Sequence, residues 1–256
     1  MNKSKYQKGW RPYDPQRKET YALSRSKIDL FLECPRCFYL DRRLWVKRPG
    51  WPAFTLNSAV DALLKNEFDL LRKNGEQHEL MKKYQIEALP YQHSQLDEWR
   101  DNFTGARVVH QSTNLEIYGA IDDLWITPEE QLVIVDYKST STNKEIDLDD
   151  KYKKTFKKQA EIYQWIFRQK GFAVSDTAYF VYANAGRNRP KFDGRLEFEM
   201  SIIPHKGDDS WVEDTIFEIK KCLEVDEIPE PNSECEYCQY REQAGKALSD
   251  QPLKLL

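Results

Sequence analysis

Asp122, Asp136 and Lys138 lie in two short runs rich in branched residues, GAIDDLW (Gly119 to Trp125) and VIVDYKS (Val133 to Ser139). On an extended strand alternate side chains share a face, so Asp136 and Lys138 point one way and Tyr137 points into the core. If residues 120–126 pair with 132–138 as a hairpin, Asp122 comes beside Asp136. Two carboxylates and a backbone carbonyl then offer hard oxygen ligands suited to Mg²⁺ or Mn²⁺. A cation held there would bind a non-bridging phosphate oxygen and lower the pKa of a bound water. Lys138 would orient that water or offset charge on the phosphorus. A second set of ligands is formed by Cys34 and Cys37 in ECPRCFYL and by Cys235 and Cys238 in ECEYCQY. Four thiolates in two CxxC pairs suit tetrahedral Zn²⁺ or an iron–sulfur cluster. Such a centre would clasp the ends of the chain, and losing it would cost folding stability. The fifth cysteine, Cys222, falls in a helical stretch and reads as a small buried hydrophobe.

The elements that must position these groups follow from periodicity. Ser24 or Ser26 caps a helix running through Ile28, Phe31 and Leu32 toward Tyr39, disturbed by Pro35. RPGWP (Arg48 to Pro52) is a loop. A second helix is predicted from Asn57 to Arg72, with Val60, Leu63, Leu64, Phe68 and Leu71 at helical spacing. Residues 76–104 read as further helix. Residues 107–110, 115–126 and 132–137 then read as strands, with PEEQ (Pro128 to Gln131) as a hairpin turn. A helix over 148–169 ends at Gly171, strands follow at 178–182 and 196–202, and a last helix covers 209–223. The order of elements indicates a mixed α/β core with a helical N-terminal elaboration. Residues 1–22 are expected to be a polar arm, 23–242 one domain that includes the cysteine clasp, and 243–256 a tail.

GAID (Gly119, Ala120, Ile121, Asp122), DYK (Asp136, Tyr137, Lys138) and QAEIY (Gln159 to Tyr163), in this order and spacing, resemble the PD-(D/E)xK nuclease superfamily. The resemblance is to its RecB-type branch, which includes CRISPR-adaptation nucleases. It covers most of residues 24–240, and SKIDLFLECPRCFYL is similar to that branch's first helix. It implies a restriction-endonuclease-like mixed sheet flanked by helices and metal-dependent cleavage of DNA. Asp122 and Asp136 would bind Mg²⁺ or Mn²⁺, Lys138 would assist the water, and Gln159 and Tyr163 would shape the site. The last two fall on one helical face at i, i+4. Relatives often carry a metal-ligating histidine in the second helix. Here NSAVDALLK puts Asp61 in that place, and a carboxylate there shifts preference toward harder ions. The resemblance also implies a [4Fe–4S] cluster on the cysteines, usually held by one early and three late residues. The split here is two and two, which keeps structural Zn²⁺ as the alternative. Two further readings stand beside this one: a nucleic-acid-binding module of the same fold that cuts nothing, and an RNA-directed nuclease. The expected partners are DNA and proteins of recombination, repair or CRISPR adaptation.

Composition limits the remaining classes. Of 256 residues 40% are hydrophobic and 13% aromatic, enough for a sizeable core and against global disorder. A charged fraction of 32% describes a heavily charged surface, and no apolar run is long enough to cross a bilayer. The first twenty residues hold no apolar stretch of the signal-peptide kind, so a cytoplasmic location with reduced thiols is expected. The net charge of −3 argues against a bulk nucleic-acid coat protein, but local charge is uneven. Lys151, Lys153, Lys154, Lys157 and Lys158 precede Gln159, and Arg187, Arg189 and Lys191 form a second basic strip; both are candidate phosphate contacts. Trp45, Trp51 and Trp99 are candidate stacking platforms or core residues. His78, His93, His110 and His205 show no ligand spacing.

Overall fold

The computed structural model describes residues 11–50, 52, 54–148, 150 and 153–250. The chain begins with β1 (Tyr21–Ser24), α1 (Arg25–Glu33) and α2 (Pro35–Arg42). The long α3 (Thr55–Asn74) follows, then α4 (Glu79–Lys83), β2 (Leu89–Pro90) and α5 (Leu96–Arg100). Next come β3 (Ala106–His110), β4 (Leu115–Gly119), β5 (Asp123–Ile126) and β6 (Leu132–Thr140). The chain continues with α6 (Lys154–Gln169), β7 (Thr177–Ala185), β8 (Phe198–Lys206), α7 (Ser210–Glu224) and α8 (Glu236–Asp250). Contacts divide it into a first unit of Met1–Trp51, Val109–Glu116 and Glu213–Leu256, and a second of Pro52–Val108 and Ile117–Val212. A three-stranded sheet has the order β1-β4-β3, and a five-stranded sheet the order β2-β5-β6-β7-β8.

The second unit is built around the five-stranded sheet. It is mixed: β6 and β7 run parallel, while the β2–β5, β5–β6 and β7–β8 pairs are antiparallel. The parallel pair needs a crossover, and α6 supplies it. Leu132 to Tyr137 are all buried, so the central strand reads as a continuous apolar run broken only by Asp136. Val133, Val135 and Tyr137 join Leu64, Phe68, Met81, Trp125, Val181 and Ile202 in one core cluster. Phe68 is its hub, with ring centroids 5.6 Å from both Trp125 and Tyr137. On α3, Leu64, Phe68 and Arg72 recur at i, i+4, i+8 and form the buried stripe. Gly75 ends the helix in the left-handed conformation (φ 69°), and the following N–H of Glu76 reaches Leu71 O at 2.9 Å.

The first unit carries α1, α2, α8 and most of α7. The predicted first helix is two helices: Cys34 leaves the helical conformation and Pro35 opens α2 at its first position. Phe31 and Phe38 pack edge to face with centroids 5.3 Å apart. Tyr39 donates to Val225 O at 3.0 Å, tying α2 to the segment after α7.

Further expectations change. The helix expected to be the last is followed by α8, which runs through Asp250 into the stretch expected to be a tail. Residues 76–104 are mostly irregular, with one-turn helices α4 and α5 and the short β2, because their apolar residues serve separate contacts. Leu63 is 67% exposed, since the buried stripe of α3 passes through Leu64 instead. The run 115–126 is not one strand: it breaks at 120–122, and its halves β4 and β5 belong to different sheets. α6 begins at Lys154 rather than 148. Lys151 and Trp51 lie outside the described residues. Among the described residues, no helix is long and apolar enough to cross a membrane.

Candidate active site and metal centre

The break between β4 and β5 shapes the carboxylate site. Gly105 and Gly119 approach so closely that a Cβ on Gly105 would stand 2.6 Å from Gly119 O, and Gly105 has a φ of 59°. The chain turns there, and the Tyr163 hydroxyl of α6 donates to Ala120 O. Asp122 follows at the mouth of β5. The β5–β6 register sets Asp123 against Val135, which brings Asp122 alongside Asp136 and Tyr137. Asp122 Oδ2 accepts from the Tyr137 backbone N–H at 2.9 Å.

Asp136 is 2% exposed and sits between two donors. Its Oδ1 accepts from Gln159 Nε2 at 2.7 Å, and its Oδ2 forms an ion pair with Lys138 Nζ. Lys138 Nζ also lies 4.6 Å from the centre of the Phe156 ring on α6. Asp61 projects from α3, where burial and then the charge of Asp122 raise its pKa above the ordinary carboxylate value. Its Oδ2 accepts from Lys65 Nζ at 2.9 Å, and the same ammonium stands 3.6 Å from Asp122 Oδ1. All six expected site residues therefore belong to the second unit and are linked by contacts on β5, β6, α3 and α6. Asp61, Asp122 and Asp136 are not a group of three whose ligand oxygens all lie within 4.8 Å of one another; among the described residues only the cysteines form such a group of three or more. Each of the three acids is instead paired with a lysine.

Three residues here were not singled out from sequence. Lys65 is one, on the same stripe as Asp61 one turn later. Tyr182 is another: it faces Lys138 across the parallel β6–β7 pair, and its buried hydroxyl has no hydrogen-bond partner among the described residues. Burial and the Asp136 charge push it up to about 12. Asp123 is the third, with no exposed surface. Its Oδ1 pairs with Arg72 and, at 2.6 Å, with Arg100 Nη2, and its Oδ2 accepts from the Tyr137 hydroxyl at 2.7 Å. Asp69 bridges the same two arginines, 2.8 Å from Arg100. No spacing rule distinguishes Asp123 from Asp122 until the strand register is known.

In the first unit Cys34, Cys37, Cys235 and Cys238 are all buried, with sulfur atoms all within 4.8 Å of one another. Individual Sγ–Sγ distances are 3.5 Å for Cys37–Cys238, 3.7 Å for Cys37–Cys235 and 3.8 Å for Cys34–Cys238. The two CxxC turns come from the α1–α2 junction and the start of α8. Arg48 Nη2 donates to Cys235 Sγ at 3.3 Å, pairs with Glu33 at 2.7 Å and lies 4.3 Å over the Tyr237 ring. Burial opposes ionisation of Cys34, but hydrogen bonds from the Cys37 and Asn232 backbone and from the neighbouring thiols outweigh it and bring the thiol down to about 7. Burial raises Cys37 and Cys238. Cys222 stands apart on α7, half-buried, and burial pushes its thiol up to about 11.

The outer candidates are placed differently. Trp99 is buried against His93 and Phe167, and so belongs to the core. Trp45 is half-buried beneath Lys47, 4.2 Å from the ring centre. Lys154 is exposed, while Lys153 donates to Asp147 O at 2.9 Å. Arg187 lines an open groove of about 520 Å³ beyond the ends of β6 and β7, and Arg189 is paired with Glu197 at 2.9 Å.

No curated protein matches the chain in sequence. A solved structure described as "Crystal structure of SSO0001" aligns with 94% of this chain and 90% of its own at 17% identity, with a TM-score of 0.38. The family model of the PD-(D/E)XK nuclease superfamily matches residues 53–243, a span that holds the whole carboxylate–lysine site. With that match over most of its length, the chain belongs to the PD-(D/E)XK nuclease superfamily.

Proposed function

We propose that this protein is a Mg²⁺- or Mn²⁺-dependent deoxyribonuclease of the RecB-like type, carrying a structural zinc ion on its four cysteines. The observation that supports the catalytic reading most is the linkage of Asp122, Asp136, Lys138 and Gln159 around the β5–β6 register. The donor set fits a hard divalent cation: carboxylates from the turn before β5, from β6 and from α3, with no sulfur or imidazole among them. Asp122 and Asp136 would hold it, with Asp61 as a third carboxylate. Bound there, the cation would supply Lewis acidity to a phosphate oxygen and a water of lowered pKa. Gln159 fixes one oxygen of Asp136 and leaves the other turned toward Lys138. Lys138 would hold the attacking water or offset negative charge as phosphorus gains a fifth oxygen. Tyr163 keeps the Ala120–Asp122 turn in place. DNA as substrate, and recombination, repair or CRISPR adaptation as the setting, rest on the resemblance of GAID, DYK and QAEIY to the RecB-type branch.

The choice of zinc rests on spacing. Four sulfurs at about 2.3 Å around one tetrahedral ion stand about 3.8 Å apart, and the closest pairs here are 3.5–3.8 Å. In a four-iron cluster each thiolate binds a different iron, so the sulfurs are held wider apart. These three spacings support the single-ion reading over the four-iron cluster. Metal analysis of purified protein is expected to give one zinc per chain and no sulfide; four iron and four sulfide would reverse the assignment. The substrate is tested with labelled single- and double-stranded DNA and matched RNA in Mn²⁺. Cleavage of DNA over RNA supports the reading, and preferential cleavage of RNA moves it to the RNA-directed nuclease.

A further inference from the structure

Lys65 belongs to no motif, yet among the described residues it touches two acids of the carboxylate site. It stands on α3 one turn beyond Asp61, with 22% of its side chain exposed. Its Nζ lies 2.9 Å from Asp61 Oδ2 and 3.6 Å from Asp122 Oδ1. Asp122 is thus held on both oxygens, by the Tyr137 N–H on one and by this ammonium on the other. A lysine ammonium is a compact charge on a flexible four-carbon stem. It can neutralise two neighbouring carboxylates and can also swing clear of them.

We propose that Lys65 is a built-in counter-ion that competes with the catalytic cation for Asp61 and Asp122, and so sets the metal concentration at which the site loads. The inference rests on the proposed metal-dependent reading and names the residue that regulates it. Where a monovalent charge already satisfies the carboxylates, a divalent ion must displace it, and apparent affinity falls by the free energy of that displacement. Lys138 plays a different part: its ion pair is with Asp136, and its charge acts on Asp61 more weakly than that of Lys65.

The test is a Mn²⁺ titration of the full chain with its cysteine centre loaded and without nucleic acid, reading free Mn²⁺ by electron paramagnetic resonance. Lys65→Gln is expected to bind Mn²⁺ about three- to tenfold more tightly than the parent, the scale of a partly buried ion pair given up. Lys65→Arg keeps the charge and should stay near the parent. Unchanged or weaker binding by Lys65→Gln, or a gain by Lys65→Arg equal to that of Lys65→Gln, overturns the inference. Asp122→Asn separates the two levels. If it loses the Mn²⁺ site while Lys65→Gln gains nothing, only the counter-ion role fails. If the parent and Asp122→Asn bind Mn²⁺ alike, the metal-dependent reading fails and the counter-ion role falls with it. Circular dichroism of every variant confirms that the compared proteins are folded.

Discussion

Asp122 and Asp123 are neighbours in sequence with opposite environments. Asp122 faces the site and keeps partial exposure; Asp123 has none and is held by two arginines and a tyrosine hydroxyl. Removing one member of a buried ionic group leaves the others charged and unpaired, a cost of about 3–5 kcal/mol. Asp123→Ala should therefore lower stability by that amount in urea unfolding, whereas Asp122→Ala should change stability little and abolish metal-dependent cleavage. Equal stability losses for the two would undo the distinction. The same contrast shows what was legible in the sequence. Asp136 and Lys138 could be set on one face by the period-2 rule, whereas Gln159 and Tyr163 came from the resemblance of QAEIY to the RecB-type branch, their i, i+4 spacing adding only a shared helical face. Asp123, Lys65 and Tyr182 could not be read, since their partners come from other elements and no local spacing names them.

At the scale of elements, β6 and α3 carry the site. β6 is buried on both faces, and its polar residues are confined to the end where chemistry is expected. Its core partner Phe68 has no exposed surface, so Phe68→Ala should cost about 3–5 kcal/mol through lost burial and the cavity left behind. Because α3 also bears Asp61 and Lys65, that variant should lose Mn²⁺ affinity along with stability. The β4–β5 break depends on Gly105, where a side chain would meet Gly119 O at 2.6 Å in a backbone conformation unfavourable to it. Gly105→Ala should reduce stability by about 1–3 kcal/mol and displace Asp122, read as a drop in both melting temperature and cleavage. The sequence pattern gave the β5–β6 hairpin and the Q-x-x-x-Y helix, because hydrophobic periodicity is strong there. It ran 115–126 together as one strand because β-propensity continues across Ala120–Asp122, and only the Gly105–Gly119 approach divides it. α4, α5 and β2 were missed because elements of two to five residues carry too few positions for a period to show.

For the whole molecule, net charge said little and the cysteine pairs said much. Residues 34–37 and 235–238 meet in one unit, so a metal there joins segments from the two ends of the described chain. The cysteine thiols must lose their protons to bind a metal, so acidification should release the ion. Chelation should lower the unfolding midpoint of the first unit, and Cys238→Ser should do the same; an unchanged midpoint in both would show that the centre holds nothing together. The claim on which everything else depends is that the carboxylate–lysine site cleaves nucleic acid. It is tested by incubating labelled DNA with protein whose cysteine centre is loaded, in Mn²⁺, Mg²⁺ or EDTA, beside Asp136→Ala and Lys138→Ala variants shown to be folded. Cleavage by the parent in Mn²⁺ or Mg²⁺, none in EDTA, and a loss of at least about 100-fold in both variants is expected. An intact substrate in every lane, or cutting that survives both substitutions, would show that this site is not a nuclease centre and leave the fold as a binding module.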